Sequence, residues 1–330
     1  MKPFFSIIIP VFKTEEYIQR CIQSCLNQTF KDFEIICIDD CGGDGSIQIV
    51  QKYQNLNPKI TILYNPTNLG AFHSRARGIQ HAQGEYCLFI DSDDFIANDA
   101  LEILYQTIAK SPTDIIAYRF SYFPKRFFKF SPHLKNSSLT NPEIYQTLNT
   151  STIFQSICNK CIKTSYAKLV ANKLSFIHPP FSCCEDGLFF LILSFEVESY
   201  QALDQSLYFY QNNPYSTTRS IDQASLDKKI LDFKNGLKIL QEITQAYPQH
   251  TSLILKYREK IISAYILEAR KYTKKDLIKI LEICDKSTIF TALPFPTYLL
   301  SAILSLRAFY RWQSLARIGI YLLTFGKIKL

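Results

Sequence analysis

The sequence predicts an α/β fold, a mainly parallel sheet with helices on both faces, followed by a helical C-terminal region. Three observations carry that prediction. Short apolar runs rich in β-branched residues alternate with stretches of helical spacing from Phe4 to Tyr118, the pattern of successive βαβ units. Two of these runs end in acid, at Asp39-Asp40 and at Asp91-Ser92-Asp93-Asp94. Beyond Ile221 long helical patterns replace the strands, which puts a domain boundary near residue 220: residues 1–220 form one domain and 221–330 a helical region.

Each element has its own warrant. Phe4-Phe5-Ser6-Ile7-Ile8-Ile9-Pro10-Val11 is short, apolar and β-branched, as a strand covered on both faces must be. Glu15 to Gln28 sets Tyr17, Ile18, Cys21, Ile22, Cys25 and Leu26 on one helical face. Phe33 to Asp39 is a second strand, and Gly42-Gly43-Asp44-Gly45-Ser46 is a turn whose Asp44 or Ser46 can cap a helix through Tyr53. Lys59 to Tyr64 gives a third strand. Asn68-Leu69-Gly70 then turns into a helix carrying Arg75 and Arg77, with Gly84 as its stop before a fourth strand from Glu85 to Ile90. Asp114 to Tyr118 is a fifth strand, Thr150 to Ala171 one or two short helices, and Glu185-Asp186 opens an apolar helix to Phe195, where acids suit the helix dipole. Ser206 to Gln211 is strand-like, and Asn212 to Arg219 is a polar loop able to fold over a ligand. Helices over Gln223–Tyr247, Ser252–Tyr272 and Lys274–Cys284 complete the pattern.

In an open parallel sheet all carboxyl ends share one edge, where ligands gather. Both acidic clusters fall on that edge. Three carboxylates within Asp91 to Asp94 repel one another, and a hard divalent cation such as Mg²⁺ or Mn²⁺ relieves the repulsion. Lys13, Arg75 and Arg77 are the cations placed to share a diphosphate with that metal, although a solvated helix face is the commoner fate of either arginine. The chain lacks G-x-G-x-x-G after its first strand, the G-x-x-x-x-G-K-[ST] loop and G-x-S-x-G, which excludes the common dinucleotide, P-loop and hydrolase sites. The aromatic and basic run from Arg119 to Lys135 reads as a hairpin or surface loop; no recognised nucleic-acid module surrounds it.

The net charge of +8 is uneven: Lys286, Arg307, Arg311, Arg317, Lys327 and Lys329 face no acid from residue 286 onward. Phe295 to Leu323 is apolar but interrupted by arginines, so it reads as an interfacial amphipathic segment rather than a membrane span, with a packed subdomain or homodimer face as the alternative. No signal peptide precedes the first strand, which predicts a cytoplasmic protein at the inner membrane face. The ten cysteines lie in apolar settings and read as reduced and buried; Cys158, Cys161, Cys183 and Cys184 have poor spacing for zinc.

Taken together, these blocks resemble family 2 glycosyltransferases of the GT-A type, Rossmann-like bacterial nucleotide-sugar transferases. Ser6 to Phe12 is similar to the family's opening strand, Gln28 to Asp40 to the run ending in the base-binding acid, and Asn68-Leu69-Gly70 with Arg75 and Gly78 to the next block. Gly84-Glu85-Tyr86 leading to Asp91-Ser92-Asp93-Asp94 matches the D-x-D block. Asn159-Lys160, Phe176 and Glu185-Asp186 resemble the acceptor side, and Tyr208-Phe209-Tyr210 with Ser216-Thr217-Thr218 the closing segment. Cys41-Gly42-Gly43-Asp44 and Ala76-Arg77 depart from the family pattern.

The resemblance implies an inverting transferase that moves a hexosyl or N-acetylhexosaminyl group from a nucleotide-diphosphate donor, with UDP expected, to a glycan or glycolipid of lipopolysaccharide, lipooligosaccharide or other surface polysaccharide. It implies Asp186 as catalytic base, and Asp93 with Asp91 or Asp94 as ligands of Mn²⁺ or Mg²⁺. Pro10, Val11, Glu15, Asp39, Asp40, Gly70, Arg75, Asp91, Ser92, Glu185, Tyr210 and Ser216 are the implied substrate contacts. Two other readings remain: a nucleotidyltransferase, which would be expected to have a Gly-rich loop where Lys13-Thr14-Glu15 stands, and a non-catalytic membrane-associated scaffold, which predicts a broken acidic cluster or a missing base.

Overall fold

A computed structural model of the chain describes residues 2–124, 137–140, 156–182, 184–213 and 223–269. Two compact units divide it, one of Met1–Leu148 with Ile153–Ser216, the other of Asn149–Thr152 with Thr217–Leu330.

Nine described strands form the sheet of the first unit: β1 Phe5–Val11, β2 Phe33–Asp39, β3 Ile60–Tyr64, β4 Tyr86–Phe89, β5 Phe95–Ile96, β6 Ile115–Phe123, β7 Ser137–Thr140, β8 Lys160–Lys163 and β9 Ser199–Gln211. The order is β3-β2-β1-β4-β8-β6-β9-β5, with β7 also on β9. The helices are α1 Ile18–Leu26, α2 Ser46–Leu56, α3 Ala71–His81, α4 Ala100–Lys110, α5 Thr164–Lys173 and α6 Glu185–Glu196. They flank the sheet, as the alternation of apolar periods requires.

From β3 to β4 every pairing is parallel. All seven residues of β1 are buried, the reason its sequence is apolar without alternation. Pro10 is tolerated there because pairing with β4 ends at Ile8–Phe89, so the missing N–H leaves no β4 acceptor stranded. Packing against this half is close: a Cβ on Gly78 of α3 would stand 2.5 Å from Ile8 Cγ2 and 2.9 Å from Ile38 Cδ1.

The other half departs from a simple parallel series. β8, which lies within a stretch expected to be helical, enters between β4 and β6 and runs antiparallel to both. Four residues with lysine at each end carry no legible period, so the strand is hidden until its neighbours are in place. The expected fifth strand extends to Phe123 and pairs in parallel with β9, which itself begins at Ser199. Because β8 is reversed, its first residue, Lys160, sits on the edge where β1, β2, β4 and β9 end.

The second unit contains α7 Gln223–Ala246 and α8 Thr251–Ala269, joined through a 3₁₀ turn at Pro248–His250. Phe233 and Tyr265 stack at 4.5 Å, among buried Leu240, Ile243, Ile254 and Ile261. Among the described residues no helix is long and apolar enough to cross a membrane. The predicted helix at 274–284 and the basic segment at 295–323 lie outside the described residues.

Candidate active site

The edge formed by the carboxyl ends of β1, β2, β4 and β9 gathers nearly every candidate residue. Three non-glycine residues in the left-handed region stand beside it: Lys13 (φ 53°) after β1, Cys41 (φ 58°) after β2, and Cys184 (φ 49°) immediately before α6. Such conformations cost free energy and persist where the surroundings enforce them, which is common at functional sites.

Arg75 joins the acidic blocks. One terminal nitrogen donates to Asp91 Oδ1 at 2.7 Å and the other to Asp186 Oδ1 at 2.8 Å. The guanidinium is almost wholly buried, whereas the Asp91 and Asp186 side chains are 36% and 24% exposed. Burial alone would lower the Arg75 pKa; Asp186 and then Asp91 outweigh it and hold the group well above its ordinary value. Arg75 Nε is buried without a partner. Of the two arginines, Arg75 is buried and Arg77 half-buried, the latter turned back to Tyr64 O and, at 2.8 Å, to Asn65 Oδ1. It is thereby held at the end of β3, apart from the acids Arg75 bridges.

Asp186 takes a second bond, from Ile157 N–H to Oδ2 at 3.1 Å. Burial raises its pKa, Arg75 opposes this, and Asp91 raises it again, for a net upward shift. Glu185 beside it is pushed up to about 8 by burial and by the charge of Asp186, against Arg75. One exposed quarter of the Asp186 side chain leaves it open to exchange a proton.

Within Asp91 to Asp94 the roles separate. Asp94, 1% exposed, accepts from Tyr208 Oη at 2.5 Å and from Gln211 N at 2.7 Å, so both its oxygens face β9. Burial, then Asp91 and Asp93, push its pKa up to about 9. Asp94, expected among the metal ligands, thus uses one bond at each oxygen to anchor the acidic turn to β9. Asp93 is fixed through Oδ2 by Asn213 Nδ2 at 3.0 Å, and its pKa is raised by burial and by Asp91. The second oxygens of Asp91 and Asp93 are taken by no other described residue. Ser92 points inward and accepts from Thr14 Oγ1 at 2.9 Å, tying the turn to the loop after β1.

Among the described residues no three His, Cys, Asp or Glu side chains converge to hold a metal. Asp91 and Asp93 nevertheless fit a Mg²⁺-like ion, which is commonly held by one or two carboxylates with substrate phosphates and water completing the shell. Of the four thiols weighed for zinc, Cys158 and Cys161 are buried, Cys184 is half-buried and Cys183 lies outside the described residues.

Asp39 and Asp40 also part company. Asp40 is 2% exposed and accepts from Asn65 Nδ2 (2.8 Å), Leu69 N (2.8 Å) and Gly70 N (2.9 Å). Its carboxylate shapes the loop before α3, taking two donors at Oδ1 and one at Oδ2. Gly70 at φ 84° lets the chain turn there, and its N–H is likewise committed. Asp39 uses one oxygen for Cys41 N at 3.1 Å and is half-buried, leaving the other free toward the edge. Glu15 Oε2 accepts from Gly45 N at 2.8 Å, so this carboxylate holds the loop before α2. Pro10 and Val11 are buried, and the Val11 carbonyl accepts from Asp40 N at 3.0 Å. Tyr210, 39% exposed, packs edge-on against Tyr122 at 5.8 Å; burial and the charges of Asp94, Asp91 and Asp93 raise its pKa. Ser216 lies outside the described residues.

Sequence reasoning missed Asn65, Gln211 and the Ile157 N–H, and reached Asn213 only as part of a polar loop able to cover a ligand. The first three had no signal, since each acts only through a partner distant in the chain.

A model of the family described as glycosyl transferase family 2 matches residues 6–170. An uncharacterized glycosyltransferase of Haemophilus influenzae is 45% identical over 100 residues, 30% of this chain and 40% of the relative. The uncharacterized glycosyltransferase EpsJ of Bacillus subtilis is 29% identical over 232 residues, 70% of this chain and 67% of the relative. In fold, the chain is similar to Staphylococcus aureus TarS 1-349 in complex with UDP-GlcNAc, with a TM-score of 0.65, 19% identity and coverage of 98% and 92% of the two chains.

Proposed function

The chain belongs to glycosyltransferase family 2, and on that premise we propose that its first unit transfers a sugar, with inversion, from a UDP-sugar to a glycan hydroxyl. The observation that carries this reading is the Arg75 bridge, which brings the base candidate and the D-x-D block to one guanidinium although 111 positions separate Arg75 from Asp186.

The uracil would lie along the Pro10–Val11 backbone with its N–H toward the free oxygen of Asp39. UDP is proposed because the TarS structure of similar fold holds UDP-GlcNAc. Asp91 and Asp93 would hold Mn²⁺ or Mg²⁺ through the oxygens turned away from Arg75 and Asn213. The metal supplies charge stabilisation on the departing diphosphate. Asp186 removes the proton of the acceptor hydroxyl as its oxygen bonds to the anomeric carbon, the carbon–phosphate-oxygen bond breaks, and UDP leaves with the electron pair. Its raised pKa brings a carboxylate nearer the strength this requires. Arg75 fixes the direction of that carboxylate and offsets its charge against Asp91. Glu185 would shape the acceptor side, Tyr210 would flank the diphosphate or sugar, and Ser216 would close over it.

The acceptor we propose is a lipid-linked surface glycan, such as lipopolysaccharide or lipooligosaccharide, with residues 295–323 lying on the inner membrane face. UDP-sugar turnover with Mn²⁺ by the wild type and Asp186→Asn tests the mechanism. Loss of about 10²-fold or more in turnover with UDP affinity kept is expected of a general base; unchanged turnover removes Asp186 from that role.

A further inference from the structure

Lys160 is a lysine with no exposed surface, at the first position of β8, and the proposed chemistry does not use it. Burying an ammonium is costly unless it is hydrogen-bonded and its charge is answered. Its Nζ donates to Ser156 O at 2.9 Å and to Asn159 Oδ1 at 2.5 Å, and stands 5.1 Å from the centre of the Phe190 ring. Both oxygens belong to one turn. That turn is further closed by Lys160 N–H to Ile157 O at 3.2 Å, and is held to β6 by Asn159 Nδ2 to Tyr118 O at 2.8 Å. Its Ile157 N–H is the group that donates to Asp186 Oδ2 at 3.1 Å. Phe190 lies four residues after Asp186 on α6, on the same helical face, so the ring under the ammonium and the carboxylate are neighbours.

We infer that Lys160 is a positioning residue for Asp186: its ammonium locks the Ser156–Asn159 turn whose Ile157 N–H orients the carboxylate, and its charge faces that carboxylate from β8. The inference rests on the reading of Asp186 as the base. The groups facing Asp186 come from several elements: Arg75 of α3 and Lys160 of β8 favour the carboxylate, Asp91 after β4 disfavours it, and Glu185 is its neighbour on α6. Lys160 itself is lowered to about 7 by burial, against the pull of Asp186 and then Cys158. Well below that value the ammonium is fully present; as pH rises through it, Asp186 loses a cation.

The Ile157 amide reports on this directly, because its proton shift follows the ionisation of the carboxylate it donates to. The shift is recorded against pH by ¹H–¹⁵N spectroscopy on the full chain with Mg²⁺ and UDP, for wild type, Lys160→Met and Lys160→Arg, with Asp186→Asn to identify the transition. Removing a cation raises the midpoint, so Lys160→Met is expected to titrate about one pH unit higher, and kcat at neutral pH to fall about tenfold with the KM for UDP-sugar kept. Lys160→Arg keeps the charge and is expected near the wild-type midpoint. An unchanged midpoint in Lys160→Met, or a midpoint in Lys160→Arg as high as in the Met variant, overturns the inference. Should the wild type turn over no UDP-sugar while Lys160→Met still moves the midpoint, the coupling stands and the donor assignment falls.

Discussion

Replacing Arg75 by methionine removes the guanidinium that bridges Asp91 and Asp186. Breaking a fully buried pair from one side costs roughly 3–5 kcal/mol, and a surface pair roughly 0–1 kcal/mol. Here the guanidinium is 8% exposed while its partners are 36% and 24% exposed, so water answers part of the charge left behind. A loss of about 2–3 kcal/mol follows. At roughly 2–4 °C per kcal/mol for a unit of this size, Tm falls by about 4–12 °C. The assay is thermal unfolding followed by circular dichroism, with and without Mn²⁺ and UDP. Since Arg75 then no longer competes for Asp91, Mn²⁺ with UDP is expected to raise the Tm of Arg75→Met by more than it raises that of the wild type. Arg75→Lys is expected to recover only part of the loss, because a single ammonium cannot reproduce the two-sided fork. A Tm within about 1 °C of wild type, equivalent to about one-third kcal/mol, would show that the bridge carries no energy.

The split within the acidic turn predicts that Asp93→Asn weakens Mn²⁺-dependent UDP binding at least about tenfold by calorimetry, the effect of losing about 1.4 kcal/mol. Asp94→Asn should leave that affinity near wild type but lower stability by about 1–3 kcal/mol, because an amide meets two donors, from Tyr208 and Gln211, with one oxygen. Glu185 and Asp94 have folded pKa values pushed up to about 8 and about 9, above their unfolded values, so the folded chain binds more protons between about pH 5 and 8. Stability of the metal-free protein should therefore fall as pH rises through that window, and Tm measured in EDTA across it checks the sign; a Tm that rises instead contradicts the buried carboxylates. Gly78→Val places methyl groups where Ile8 and Ile38 already stand and should cost about 1–3 kcal/mol or more in urea unfolding, with UDP binding per folded molecule unchanged.

The parallel half of the fold was legible because burial on both faces writes itself as unbroken apolar runs, and β2 ends at Asp39 as its sequence indicates. The acidic turn after β4 was legible as a cluster but not as a division of labour. Asp94 is turned inward by Tyr208 and Gln211, more than a hundred positions away, and no local pattern records that. Asp39 and Asp40 are adjacent and alike in composition; the loop donors Asn65, Leu69 and Gly70 decide which faces outward. β8 and the burial of Lys160 were illegible for a related reason, since a four-residue strand ending in lysines looks like solvated surface until Phe190 and the Ser156–Asn159 turn enclose it.

A crystal structure of the full chain grown with UDP and Mn²⁺ bears on the shared site most plainly. It should show uracil against the Pro10–Val11 backbone with its N–H on Asp39, the metal on Asp93 and Asp91 with Asp94 still bonded to β9, and the free side of the diphosphate turned toward Asp186. Uracil bonded to Asp40, the metal held by Asp94, or the nucleotide on an edge remote from Arg75 would contradict it.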